Sequence, residues 1–152
     1  MKLLRNALPV MMALGILAAP TAAVAQQTSG AQTFIGIQNG PDDPGRVIAV
    51  GTINATGSDE IVSDTEDVFH FPTGDLTVDH AVVSSQQSFD PATCLFQLTE
   101  IGTIDVVRGT GAYVGATGHG TSVVKIISRG CGETPSTFVF YLRTQGTLSL
   151  GR

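Results

Sequence analysis

Beyond residue 32 the chain runs in short stretches where apolar and polar residues alternate, and Gly, Pro, Asn and Asp interrupt these stretches at close intervals. Strands are predicted over 33–37, 46–56, 60–71, 75–84, 95–101, 103–108, 121–128, 137–143 and 147–150. These runs are rich in β-branched and aromatic residues, and their period is two where it can be read. Turns are expected at Asn39-Gly40, Pro44-Gly45, Thr56-Gly57, Thr73-Gly74 and through the glycine-rich stretch 109–120. No segment past residue 25 carries a sustained helical period with caps, and no repeat appears at solenoid spacing. Many short strands joined by tight turns predict an antiparallel sandwich or barrel.

One hairpin can be written residue by residue. Phe69 and Phe71 alternate with Val68 and His70, and after Pro72-Thr73-Gly74 the run Asp75 to His80 alternates again. Setting Phe71 opposite Leu76 and Phe69 opposite Val78 collects four apolar side chains on one face, whereas a one-residue slip would scatter them. This register also sets Asp67 opposite His80 on the face of the two Phe, leaving His70 on the other face. A carboxylate beside an imidazole on an inward face can place a proton donor and acceptor together. The plainer alternative is a solvated cross-strand pair near a rim. His119, between Gly118 and Gly120, is expected in a turn.

The segment 1–25 has a different pattern. Lys2 and Arg5 precede an apolar run over 7–19, and Ala23-Val24-Ala25 follows, the three-part plan of a secretory signal peptide cleaved after Ala25. The run is short of the roughly 20 apolar residues a spanning helix needs. After cleavage no transmembrane segment is expected, and the destination would be the periplasm or the exterior. Residues 26–32 read as a flexible arm and 33–152 as a single domain.

Composition then narrows the chemistry. The 152 residues carry 8 Lys+Arg against 13 Asp+Glu. Loss of 1–25 removes two basic residues and no acid, for a formal charge of −7. An acidic chain lacks the footprint of a nucleic-acid binder. Two cysteines, Cys94 and Cys131, in an exported chain most simply pair. Their bridge would close a loop of about 38 residues, worth about 4 kcal/mol by chain entropy. Two Cys and three scattered His lack metal-site spacing, so no metal centre is indicated. The acidic pairs Asp42-Asp43 and Asp59-Glu60 read as hydrated loops, not Ca²⁺ sites. Asn54-Ala55-Thr56 fits a glycosylation acceptor, but the leader looks bacterial and the match is set aside.

The glycine-rich stretch GTIDVVRGTGAYVGATGHGT (102–121) contains no Gly-Lys-Ser/Thr for phosphate, and β-branched residues follow it in place of a helix. Its run Gly109-Thr110-Gly111-Ala112-Tyr113, followed by Gly115-Ala116-Thr117-Gly118-His119-Gly120, resembles the G-T-G-x-[FY]-x-x-A-x-G signature of allene oxide cyclase-like and dirigent-like barrels. Gly102-Thr103-Ile104, the closing Gly146-Thr147-Leu148-Ser149-Leu150, and Phe89 to Cys94 with Gly130-Cys131 are similar to small exported bacterial members. The resemblance implies an all-β fold: an eight-stranded antiparallel β-barrel, calycin-like, with a central cavity. Its plant members steer cyclisation of a fatty-acid epoxide or coupling of phenoxy radicals. The residues responsible lie outside the signature, so none is carried over.

Three functions fit these readings. The first is an exported barrel holding a small apolar or amphipathic molecule, motivated by apolar strand faces such as Phe138/Phe140/Leu142 and Leu76/Val78; an interior filled by those side chains is its counterpart. The second is a cofactor-free isomerase or cyclase, for which Asp67, His80, Tyr113, Tyr141 and Arg143 are the candidate polar cavity groups. No nucleophile elbow or triad is present. The third is a non-catalytic structural or interaction protein of the cell envelope. None of the three calls for a cofactor, and the oligomeric state stays open.

Overall fold

The computed structural model describes residues 28–40, 43–132 and 135–151. The expected leader, 1–25, lies outside them. The strands are β1 (Ser29–Gln38), β2 (Gly45–Gly51), β3 (Ala55–Ile61), β4 (Glu66–Phe71), β5 (Gly74–Asp90), β6 (Leu95–Gly109), β7 (Thr117–Arg129) and β8 (Thr137–Ser149), with one 3-10 turn over Gly111–Tyr113. Each pairs antiparallel with the next, and β8 returns to β1 from Ser29↔Ser149 to Gln38↔Phe140, closing an eight-stranded barrel. Closure pairs the backbone groups that the first and last strands of an open sheet would expose.

The eight strands redistribute the nine predicted runs. The run 46–56 is two strands, because the chain reverses over Thr52 to Asn54. There Gly51 takes φ +137° and its N–H donates to Asn54 Oδ1. The run 60–71 is divided by a loop in which the Val62 and Ser63 N–H groups both donate to the Glu66 carbonyl. In contrast, 95–101 joins 103–108 in β6, and 137–143 joins 147–150 in β8. Gly102 and Gly146 are glycines within strands, not turn residues. Gly146 faces Gly120 across the β7–β8 ladder, and a Cβ on Gly146 would sit 2.1 Å from the His119 carbonyl oxygen. The glycine-rich stretch turns only as far as Ala116, so Gly118, His119 and Gly120 belong to β7. His119 is an exposed strand residue paired with Asp105 and Thr147, not a turn residue. Gly57 likewise lies inside β3, and β1 begins at Ser29, within the segment expected to be an arm.

The β4–β5 hairpin keeps its predicted faces and changes its register by two. Phe69 opposes Leu76 and Phe71 opposes Gly74, so the turn is the two residues Pro72-Thr73. A shift of two preserves which face each side chain takes, and Phe69, Phe71, Leu76 and Val78 are all buried together. Asp67 therefore opposes Val78, not His80.

The two ends of the barrel differ. At the end near the 3-10 turn, Phe34 packs on Phe69 at 5.2 Å between ring centroids, and Phe71 meets Tyr113 edge-on at 6.0 Å. Leu76, Val78, Val106, Ala116 and Leu148 complete this plug. The polar groups buried beside it are satisfied. Gln32 exchanges hydrogen bonds with the Ile53 backbone, and Thr144 Oγ1 accepts from the Phe34 N–H. At the other end the wall is uneven. Strands β1–β4 have 10, 7, 7 and 6 residues, whereas β5–β8 have 17, 15, 13 and 13. The longer half stands beyond the rim as a four-stranded sheet, and Cys94 and Cys131 are joined at its tip with Cα atoms 5.2 Å apart.

Gly146→Ala is expected to cost about 1–3 kcal/mol, because its methyl group can enter only by displacing the β7 backbone. Gly132→Ala, which meets nothing within 4 Å, is the control expected to leave stability unchanged. Chemical denaturation of the two variants checks the contrast.

Candidate functional site

Inside the open end lies a cavity of about 190 Å³. Its walls follow from strand parity. On β7 and β8 the inward positions are Ser122, Val124 and Ile126, and Phe140 and Leu142, and this side is almost wholly apolar. Ile104 of β6, buried in the core, joins Leu142 at the boundary with the plug. On β3, β4 and β5 the same parity turns Asp59, Asp67 and His80 inward. Asp64 of the β3–β4 loop, Val82 and Glu100 complete the lining.

The acidic wall is held by neighbouring pairs. Asp59 is the ladder partner of Gly45 on one side and of Phe69 on the other, and Asp67 is the partner of Ile61 and Val78. His80 reaches Asp67 diagonally, with Nε2 3.4 Å from Oδ2, while its backbone N–H donates to the Thr65 carbonyl. Asp67's side chain is only 13% exposed and that of His80 30%. The Oδ1 atoms of both Asp59 and Asp67 are inaccessible and have no hydrogen-bond partner among the described residues. A buried carboxylate oxygen without a donor is costly when ionised.

The charge state follows. Burial raises Asp59 to a pKa of about 7, the nearby charge of Asp67 pushes the same way, and His70 opposes both. Burial also raises Asp67, with His80 partly offsetting it. On the outer face His70 is clamped between two carboxylates, Nε2 to Glu60 Oε2 at 2.8 Å and Nδ1 to Asp75 Oδ1 at 2.9 Å. The bond with Glu60 and then the bond with Asp75 raise its pKa. Glu60 and Asp59 thus face opposite sides of β3, and this pair is strand, not a hydrated loop.

Of the five cavity candidates read from the sequence, the structure brings Asp67 and His80 together in the cavity. Tyr113 is buried in the plug at the other end, where its hydroxyl accepts from Thr73 Oγ1. Tyr141 and Arg143 alternate with the inward Phe140, Leu142 and Thr144, so they lie on the outside of β8. Sequence reading missed Asp59, Glu100 and Ser122. Asp59 has the parity of Ala55, Gly57 and Ile61, but that signal is usable only once β3 is separated from β2. Among the described residues no group of His, Cys, Asp and Glu is placed to hold a metal ion.

Since the fold raises Asp59 above its unfolded value near 3.8, the folded state holds the extra proton between pH 4 and 7. Its contribution to stability therefore declines as pH rises through that window and stays unfavourable above it. Asp59→Asn is expected to gain stability relative to the parent on going from pH 4 to pH 8, by at most about 4 kcal/mol. Urea titrations of both proteins at the two pH values measure this. Compared with family models, curated proteins and solved structures, the chain has no match.

Proposed function

We propose that this is an exported barrel that binds one small amphipathic molecule in its open end. The observation that carries the reading is the division of the cavity wall. One side, from Val124 to Leu142, offers hydrocarbon, and the other carries the carboxyl groups of Asp59, Asp64, Asp67 and Glu100. Ligand sites combine these features, an apolar lining with a few convergent polar groups. A cavity of roughly 150 Å³ already accommodates benzene, so this one suits a ring-sized body. Export is supported by the leader pattern at 1–25 together with the Cys94–Cys131 bridge. Among the described residues no helix is long and apolar enough to cross a membrane. The closed eight-stranded barrel is the architecture implied by the allene oxide cyclase-like resemblance, and we propose that kinship as well.

A second reading rests on the contact of Asp67 with His80. The pair can take a proton from one carbon of a bound molecule and return it to another, an isomerisation that changes no composition and needs no cofactor. The third reading, an envelope interaction protein, leaves the cavity without a role.

A thermal-shift screen of small fatty acids, terpenoids, phenolics and amines tests the proposal. A ligand at ten times its Kd adds about 1.4 kcal/mol, a rise of roughly 4–6 °C. Val124→Phe, which fills the space from the apolar side, is expected to abolish that rise. No shift with any class overturns the binding reading. Deuterium entering a bound ligand's C–H positions in heavy water, and failing to enter with Asp67→Asn, would mark the isomerase.

A further inference from the structure

The cavity lining is one-sided in charge. Asp59, Asp64, Asp67 and Glu100 line it, with His80 beside Asp67, and no Lys or Arg is among the lining residues. The described basic side chains are elsewhere. Lys125, for example, is an exposed residue between the inward Val124 and Ile126. A ligand carboxylate entering here would meet like charge with no cation to receive it. A metal ion would find hydrocarbon on the side where it needs oxygen. An alcohol brings a single donor and no charge to a wall of four carboxyl groups. An ammonium group brings three donors and the opposite charge.

The apolar side continues past the rim. Register sets Gln87, Leu98, Ile126 and Phe140 in one inward row and Phe89, Phe96, Ser128 and Phe138 in the next, on the projecting sheet. Phe89 is 60% exposed there, one row out from Ile126 and Phe140 of the cavity wall. An apolar body longer than the cavity would be accommodated along this face, opposite the carboxyl groups.

Building on the cavity-binding reading, we infer that the ligand is a small primary amine, its ammonium group seated between Asp59 and Asp67 and its hydrocarbon body against Val124, Ile126 and Phe140. Proton linkage follows. The groups facing the ammonium are Asp59 from β3, Asp64 from the β3–β4 loop, Asp67 from β4, His80 from β5 and Glu100 from β6; β7 and β8 present Ser122 and apolar side chains only. His70 acts on Asp59 from the outer face. Asp59, raised to about 7 by burial, loses its proton as the pH passes neutrality, while an alkyl amine stays charged. Amine affinity therefore rises between pH 5 and pH 8, and binding releases protons near pH 6.5.

Three probes share one body and differ in their head group: 2-phenylethylamine, 2-phenylethanol and 3-phenylpropanoate. Each is titrated into the mature protein by NMR at pH 5 and pH 8. The amine is expected to bind at least tenfold more tightly than the alcohol at pH 8, to weaken by tenfold or more at pH 5, and the carboxylate to be the weakest. The double variant Asp59→Asn/Asp67→Asn is expected to lose the amine preference and retain the alcohol. If that variant does not fold, the parent's pH dependence with the amine decides alone. Alcohol or carboxylate binding as tightly as the amine at pH 8, or amine affinity that does not rise with pH, overturns the inference and leaves the cavity reading standing. Absence of binding by all three probes overturns the amine inference. The cavity reading falls only if the wider screen also fails.

Discussion

Pairing of β1 with β8 is the constraint on which everything else in this protein rests. It joins residues more than a hundred positions apart, for example Ile35 with Arg143, and turns a meander with two free edges into a ring. Once the ring is closed, strand parity sorts every side chain into interior or exterior. The interior is then small enough that side-chain size alone decides which parts are solid. Where Phe34, Phe69, Phe71 and Tyr113 point inward the barrel is filled, and where Ser122, Val124 and Asp59 do so it is hollow.

The hollow also depends on that packing. Burying two carboxyl groups opposite hydrocarbon opposes folding, and the aromatic plug is what makes this tolerable. Buried apolar area at one end of a barrel supports an unfavourable polar arrangement at the other, because all eight strands fold as one ladder. The outer face contributes through the Glu60–His70–Asp75 clamp, which ties β3, β4 and β5 together behind the acidic wall.

Much of this was legible in the chain. Alternation and turn residues point to an antiparallel all-β domain, and the hairpin faces follow from Phe69, Phe71, Leu76 and Val78. The face of Asp67 and His80 came with them, since a register error of two residues leaves parity intact. Glycine misled the reading for a physical reason. It serves turns through positive φ, as at Gly51, and serves strand interiors through missing bulk, as at Gly146 facing Gly120, and a single sequence does not separate the two uses. Tyr141 and Arg143 looked like cavity groups by residue type, yet their parity with Leu142 puts them outside. Asp59 was hidden because its inward orientation depends on where β2 ends.

The uneven height of the wall has a consequence for oxidation state. The bridge between Cys94 and Cys131 is placed at the free tip of the taller half, past the last β1–β8 pair at Gln38↔Phe140. Beyond the rim, β5 from Ala81 to Asp90 is hydrogen-bonded through the ladder only to β6, so its other backbone edge faces solvent. Reducing the two sulfurs would remove the cross-link between the β5–β6 hairpin and the end of β7, and the awning would then be held by its ladders alone, which run to Leu95↔Arg129 and Arg129↔Thr137.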